Sequence, residues 1–269
     1  MSVQPAESAV ASATEARERT GRLLLGKTVL VIGGAKNLGG QVSRDLASQG
    51  ARVAVHYNSA ATAAAADDTV ASVNDADGEA FAIQADLTDV AQVERTFDAV
   101  MDRYGSLYAT VNTAGLAVGR PVVEFSEADY DAMMGVNAKA AFFIMREAAK
   151  RTEDGGRIIT LLTSLLAAFT PLYSLYAGSK APVEHFTRAL AKELEDRSIS
   201  VNALAPGPMD TPFFWDAAHP GEYEFVTSQA MRNQLTRVED IVPWVRFLLT
   251  EGWWLNGQTV LINGGFTTR

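Results

Sequence analysis

From Thr28 to Ile262 the chain alternates short apolar runs with longer amphipathic ones. Thr28–Ile32 is continuous, apolar and β-branched, which suits a strand buried on both faces. Leu38 to Gln49, halted at Gly50, has helical spacing with a glycine stop. The pair recurs: strands are predicted at Arg52–His56, Ala80–Gln84, Leu107–Asn112, Arg157–Leu162, Ser198–Ala203 and Thr259–Ile262. Helices are predicted at Ala60–Ala76, Val90–Tyr104, Glu127–Arg151, around Tyr176, and from Glu239 to Leu249. Parallel strands need crossovers and these are usually helical, so the alternation predicts an α/β fold: one doubly wound parallel sheet of about seven strands with helices on both faces. No linker-like composition interrupts Gly26 to Gly265. Residues 26–269 are therefore read as one domain, and 1–25 as a flexible N-terminal extension.

Two segments break the rhythm. Gly33-Gly34-Ala35-Lys36-Asn37-Leu38-Gly39-Gly40 joins the first strand to the first helix, where free N–H groups and the positive end of a helix dipole suit a pyrophosphate. The stretch from Pro206 to Arg237 holds Phe213, Phe214, Trp215, His219, Tyr223 and Phe225, and a long apolar excursion at this edge of a sheet is expected to be a substrate lid, at about 207–236.

Composition narrows the chemistry. With 48% apolar residues among 269 there is ample material for one large core. The net charge of −9, from 32 acidic and 23 basic residues, disfavours nucleic acid as a partner. The chain has no cysteine, and its three histidines, His56, His185 and His219, have no carboxylates at ligand spacing, so no metal is expected. Residues 1–22 lack the apolar core of a signal peptide, Glu7, Glu15 and Glu18 argue against a transit peptide, and no apolar run is long enough for a bilayer. A cytoplasmic location away from membranes is expected.

The candidate chemistry centres on Tyr176-Ala177-Gly178-Ser179-Lys180. In a helix Tyr176 and Lys180 lie one turn apart on one face, and an ammonium held there favours the phenolate, drawing a phenol of free pKa about 10 toward working pH. Pro182 lacks the N–H that would bond the Gly178 carbonyl, which predicts a slight opening of this helix. His185 is read as helix surface or interface.

Taken together and in chain order, these segments resemble the short-chain dehydrogenase/reductase family over about Gly26 to Phe266, with a Rossmann-like fold. The glycine loop carries two of the family's three glycines, Gly33 and Gly39, with Asn37 at the other, and Asn is the most tolerant non-glycine residue for a left-handed backbone. Asn112-Thr113-Ala114-Gly115 matches the turn after the fourth strand in three of four positions, with Asn112 as structural support. The resemblance implies cofactor contacts from Gly33, Lys36, Asn37, Leu38, Gly39, Tyr57, Asn58, Ser59, Asp86, Leu87, Ala114, Gly115, Pro206, Gly207 and Thr211, as well as from Tyr176 and Lys180. The region His56-Tyr57-Asn58-Ser59 has no acid to repel a 2′-phosphate, and Lys36 stands where NADP-preferring members carry a basic residue. NADP(H) is therefore preferred, with NAD(H) as the alternative, and the combination is similar to NADPH-dependent ketoacyl and pteridine reductases.

The resemblance further implies that Tyr176 is the general acid/base, that Lys180 lowers its pKa and binds the nicotinamide ribose, and that Asn137 holds a relay water through its main chain. A hydroxyl at the exit of strand five would stabilise the substrate oxygen; Ser164 is preferred for it, with Thr163, which stands at the family's usual spacing from the Tyr, as the alternative. The implied function is an NADP(H)-dependent oxidoreductase acting on a small-molecule carbonyl or secondary alcohol, apolar or aromatic. The competing possibility is a non-catalytic NADP(H)-binding sensor or scaffold on the same fold. Family members usually form homo-oligomers, tetramers or dimers, through helices that here begin near Glu127 and Tyr173.

Overall fold

A computed structural model of the chain describes residues 21–268. Seven parallel strands form one sheet in the order β3-β2-β1-β4-β5-β6-β7: β1 is Thr28–Ile32, β2 Arg52–Tyr57, β3 Glu79–Gln84, β4 Ala109–Asn112, β5 Arg157–Leu161, β6 Ser200–Pro206 and β7 Thr259–Ile262. The main helices are α1 (Asn37–Ser48), α2 (Ala63–Asn74), α3 (Val90–Tyr104), α4 (Glu127–Met134), α5 (Ala140–Arg151) and α6 (Ser174–Glu193). Two short helices, α7 (Pro212–Trp215) and α8 (Glu222–Ser228), precede α9 (Val238–Thr250). The predicted doubly wound sheet is thus the observed one.

Why β1 is central follows from its sequence. All five residues are buried, and alternate side chains enter two apolar clusters on opposite faces: Leu30 and Ile32 with Phe97 and Ile144, Val29 and Val31 with Leu46 and Ile241. Such double burial needs a continuous apolar run rather than alternation. At roughly 25 cal/mol per Å² of buried apolar surface, burial on both faces makes each such strand residue strongly stabilising. The winding reverses between β1 and β4, which are paired neighbours, so the loops leaving their carboxyl ends diverge and leave a crevice.

Several boundaries differ from expectation for local reasons. Ser198 has a left-handed backbone (φ 53) and closes a turn, so β6 starts at Ser200 and runs to Pro206. The predicted helix Glu127–Arg151 is one rod, but Gly135–Lys139 forms a wide π turn that separates α4 from α5. By contrast α6 runs unbroken through Pro182, against the predicted opening. Residues 1–20 of the predicted extension lie outside the described residues, but its end is part of the fold: Leu24 is buried and its N–H donates to the Gln49 carbonyl at 2.9 Å. Among the described residues no helix is long and apolar enough to cross a membrane.

Candidate active site

The β1–α1 turn is shaped by close approach. Gly33 has φ +71, and a Cβ on Gly39 would stand 2.1 Å from the Gly33 carbonyl oxygen and 2.7 Å from Thr113 Oγ1. Only glycine fits there, so the first turn of α1 lies directly on the exit of β1. Asn37 takes the expected left-handed conformation, φ 50. Lys36 occupies the N-cap without a side-chain cap, which leaves first-turn N–H groups and the helix dipole available to an anion.

A histidine holds this turn from below. His56 Nδ1 accepts from the Gly33 N–H at 3.1 Å, and Nε2 lies 2.9 Å from the Ala85 carbonyl oxygen. These partners require a neutral ring protonated on Nε2. Burial agrees, pushing the His56 pKa down to about 4, with the bond to Ala85 opposing. On the β4 side Asn112 Oδ1 accepts from the Ala114 N–H at 3.0 Å, and Thr113 Oγ1 donates to the Ile32 carbonyl at 2.8 Å. Asp86 Oδ1 accepts from the Thr88 N–H and hydroxyl at 2.9 and 2.7 Å, while the cap of α3 is Asp89, which accepts from Ala91 N–H. Asp86 is therefore left on the crevice wall rather than used as a helix cap.

Tyr176, in the first turn of α6, is buried, and its phenol shares a hydrogen bond with the Thr163 hydroxyl. Ser164, the preferred residue at the sequence level, turns away and donates to the Ala205 carbonyl at 2.9 Å. The hydroxyl facing Tyr176 is thus that of Thr163. Extended backbone at Thr163 (φ −152), two residues past the end of β5, precedes the turn that begins at Ser164, which puts the two side chains on opposite sides.

Lys180 is buried and donates from Nζ to the Leu161 and Ala114 carbonyls at 3.0 and 3.2 Å. Desolvation brings its pKa down to about 8. Burial also pushes Tyr176 up to about 12, and the opposing pull comes from Thr163 rather than from Lys180. The two carbonyls fix the Lys180 ammonium beside the crevice.

Asn137 sits in the π turn and is buried. Its Nδ2 donates to the Leu116 carbonyl and Ser179 Oγ at 2.7 and 2.9 Å, and its Oδ1 accepts from the Leu116 N–H at 2.9 Å. Ser179 Oγ in turn donates to the Tyr176 carbonyl at 2.8 Å. The Asn137 side chain thus ties the loop after β4 to the helix that carries Tyr176 and Lys180, and π turns recur where such repositioning is needed.

The predicted lid contains α7 and α8, closed at the base by a parallel bridge between Met209 and Thr236. Phe213 lies over Tyr176, with ring centroids 6.2 Å apart, and Tyr173 is 6.4 Å from it on another side. Tyr173 OH donates to Glu222 Oε2 at 2.9 Å and lies 3.1 Å from the Ala217 carbonyl oxygen. Burial, with Glu222 beside it, raises the Tyr173 pKa.

One cavity of about 680 Å³ joins these parts. Its wall includes Gly33, Lys36, Asn37, Leu38, Gly39, Tyr57, Asn58, Asp86, Leu87, Ala114, Gly115, Thr163, Ser164, Tyr176, Lys180, Pro206, Gly207 and Thr211. Two predicted residues are not on it: Asn137, which acts from behind, and Ser59, which opens the turn Ala60–Thr62. Sequence reasoning missed Thr62, Thr88, Tyr173, Glu222 and Phe266 on the wall. Tyr173 had a legible signal, three residues before Tyr176; Glu222 had none.

A dinucleotide cradle, a buried Thr-Tyr-Lys set and an aromatic lid along one crevice define a nucleotide-dependent oxidoreductase site on a doubly wound sheet. The comparisons give the same class. Residues 33–267 match the family described as "Enoyl-(Acyl carrier protein) reductase". A short-chain type dehydrogenase/reductase of Picea abies is 36% identical over 251 residues, covering 89% of this chain and 92% of that protein. The hydroxynaphthalene reductase-like protein Arp2 of Metarhizium brunneum (strain ARSEF 3297) is 37% identical over 93% of this chain and 98% of its own. The crystal structure of a putative dehydrogenase from Burkholderia cenocepacia, with bound NADP, superposes with a TM-score of 0.90 at 52% identity, covering 92% and 96% of the two chains. The chain belongs to the short-chain dehydrogenase/reductase family.

Proposed function

We propose that the protein is an NADP(H)-dependent oxidoreductase that interconverts a carbonyl and a secondary alcohol on an apolar or aromatic small molecule. The observation that carries this reading is the hydrogen-bonded Thr163–Tyr176 pair in the same cavity as Lys180 and the glycine cradle. NADP(H) fits the residues present: the crowding at Gly39 marks a loop built for close approach, Lys36 is exposed on the wall, and Tyr57 and Asn58 bring no acid to it. When bound, the nicotinamide would supply or accept the hydride.

The protein's own groups do the rest. The Tyr176 phenol, held protonated by burial, donates to the carbonyl oxygen during reduction, and the Thr163 hydroxyl donates to the same oxygen as negative charge grows on it. Lys180 has two carbonyl partners and one remaining N–H, which would bind the ribose hydroxyls. Leu116, Phe213 and Val226 line the cavity, which favours an apolar or aromatic substrate, and the Phe213 ring over Tyr176 keeps water from the reacting face. Self-association into a homo-oligomer belongs to the same reading, supported by the exposed Phe142, which meets Phe186 edge to face at 5.1 Å.

The test is NADPH oxidation over a panel of apolar and aromatic ketones with the wild type and Tyr176→Phe. Turnover reduced at least about a hundredfold in the variant is expected, since a positioned acid contributes roughly 10²–10⁴-fold. Equal dissociation constants for NADH and NADPH would overturn the cofactor preference, and unchanged turnover in Tyr176→Phe would overturn the chemistry.

A further inference from the structure

The cavity wall carries four formally charged side chains, and they are unevenly placed: Lys36, Asp86 and Lys180 belong to the glycine loop, the β3 exit and the catalytic helix, while Glu222 stands alone on the lid. Two bonds orient its carboxylate. Tyr173 OH and the His219 N–H each donate to Oε2 at 2.9 Å, and Oε1 has no hydrogen-bond partner among the described residues. The His219 ring is itself fixed, with Nε2 2.8 Å from the Gly119 carbonyl oxygen. The half-buried carboxylate is therefore held by two residues flanking the pocket, with one oxygen uncommitted.

We propose that Glu222 is a specificity-determining residue, and that the substrate is a carbonyl compound carrying a second, non-anionic hydrogen-bond donor, a hydroxyl or an ammonium group, remote from the reacting oxygen. The inference rests on the reading of the site as a carbonyl–alcohol oxidoreductase. An otherwise apolar pocket fixes a ligand's orientation through a few placed polar groups, and Glu222 is the one charged acceptor on the lid side. The same carboxylate excludes acids: a substrate carboxylate would meet a like charge among aromatic rings, with no lid cation on the cavity wall to offset it.

The test uses ketones on three scaffolds, acetophenone, 1-tetralone and cyclohexanone, each unsubstituted or bearing a hydroxyl, an aminomethyl or a carboxylate group. kcat/KM with NADPH is measured for each. Dissociation constants are also measured by calorimetry on protein saturated with NADP⁺, an arm that does not depend on turnover. On at least one scaffold the wild type should prefer the hydroxyl and aminomethyl members over the carboxylate at least about tenfold, the scale of a charge-assisted hydrogen bond. In Glu222→Gln the amide oxygen stays with the Tyr173 and His219 donors and the NH2 faces the pocket, so the variant should keep a hydroxyl preference by donating to the substrate hydroxyl oxygen, lose the ammonium preference and bind the carboxylate at least about tenfold better; Glu222→Ala should lose the hydroxyl preference as well. A purely structural Glu222 would shift all members alike, so unchanged ratios in Glu222→Gln overturn the proposal, as does tight carboxylate binding by the wild type. Absence of turnover on every ketone counts against the oxidoreductase reading instead, and the binding ratios still decide the role of Glu222.

Discussion

Thr163 and Ser164 are adjacent in sequence and serve opposite ends of the same strand exit: the first bonds the Tyr176 phenol, the second pins the Ala205 carbonyl of β6 at 2.9 Å. One hydroxyl faces the phenol and the other holds the sheet.

Thr163→Val should lower kcat/KM by about 10²–10³, the usual effect of removing one donor to a developing oxyanion, and Thr163→Ser should restore most of it. Ser164→Ala should instead lower stability by about 1 kcal/mol in urea unfolding, because a buried carbonyl loses a partner, while keeping more than about a tenth of the activity. The reverse pattern would transfer the role to Ser164.

Lys180 makes stability depend on alkaline pH. Its folded pKa of about 8 lies below the ordinary 10.5, so between these values the unfolded chain holds a proton that the folded protein has released. Stability therefore rises with pH across that window, by up to about 3 kcal/mol from this group. The free energy of unfolding, followed from pH 7.5 to 9.5 in wild type and Lys180→Met, should diverge, with the rise missing from the variant.

His56 acts in the acid range with the same sign. Its pKa falls from 6.5 to about 4 on folding, so its contribution is complete above 6.5 and is lost as pH drops toward 4, by up to about 3 kcal/mol. Protonation would also turn Nδ1 from acceptor to donor against the Gly33 N–H. His56→Ala should flatten the loss of stability between pH 7 and 4.5 and weaken NADPH binding at pH 7; an unchanged NADPH dissociation constant would separate the ring from the glycine turn.

Gly39→Ala should be poorly tolerated, since its Cβ would fall 2.1 Å from a backbone oxygen that cannot swing aside. A loss of about 1–3 kcal/mol of stability and at least tenfold weaker NADPH binding are expected, read by thermal melts with and without cofactor.

Much of this was legible because the fold is periodic. The doubly apolar run Thr28–Ile32 and its echoes specify a buried parallel sheet, and helix spacing puts Tyr176 and Lys180 on one face. What stayed hidden depends on contacts between distant segments. Alternation along a strand cannot say at which residue the chain turns away, so the preference for Ser164 over Thr163 could not anticipate that the Ser164 hydroxyl turns to the Ala205 carbonyl. The π turn at Gly135–Lys139 has no period of its own, and the partners of its Asn137, Leu116 and Ser179, come from distant segments. Glu222 becomes significant only when the lid folds back onto Tyr173, 49 positions earlier in the chain. Pro182 shows the opposite failure, a strong local signal through which α6 is nevertheless continuous.

The bridge between Met209 and Thr236 gives the lid a closed neck, with the Asp210 N–H bonded to the Thr236 carbonyl at 3.0 Å and the Thr236 N–H to that of Pro208 at 2.8 Å. The chain is stitched together before the excursion begins and after it ends, so its length and content can change at small entropic cost while the sheet keeps its register. Tyr176, Lys180 and the glycine turn lie outside this neck, and residues 211–235, Thr211 of the cavity wall among them, lie inside it. The excursion is thus a clasped module, open to rewriting in sequence without reaching the strands behind it.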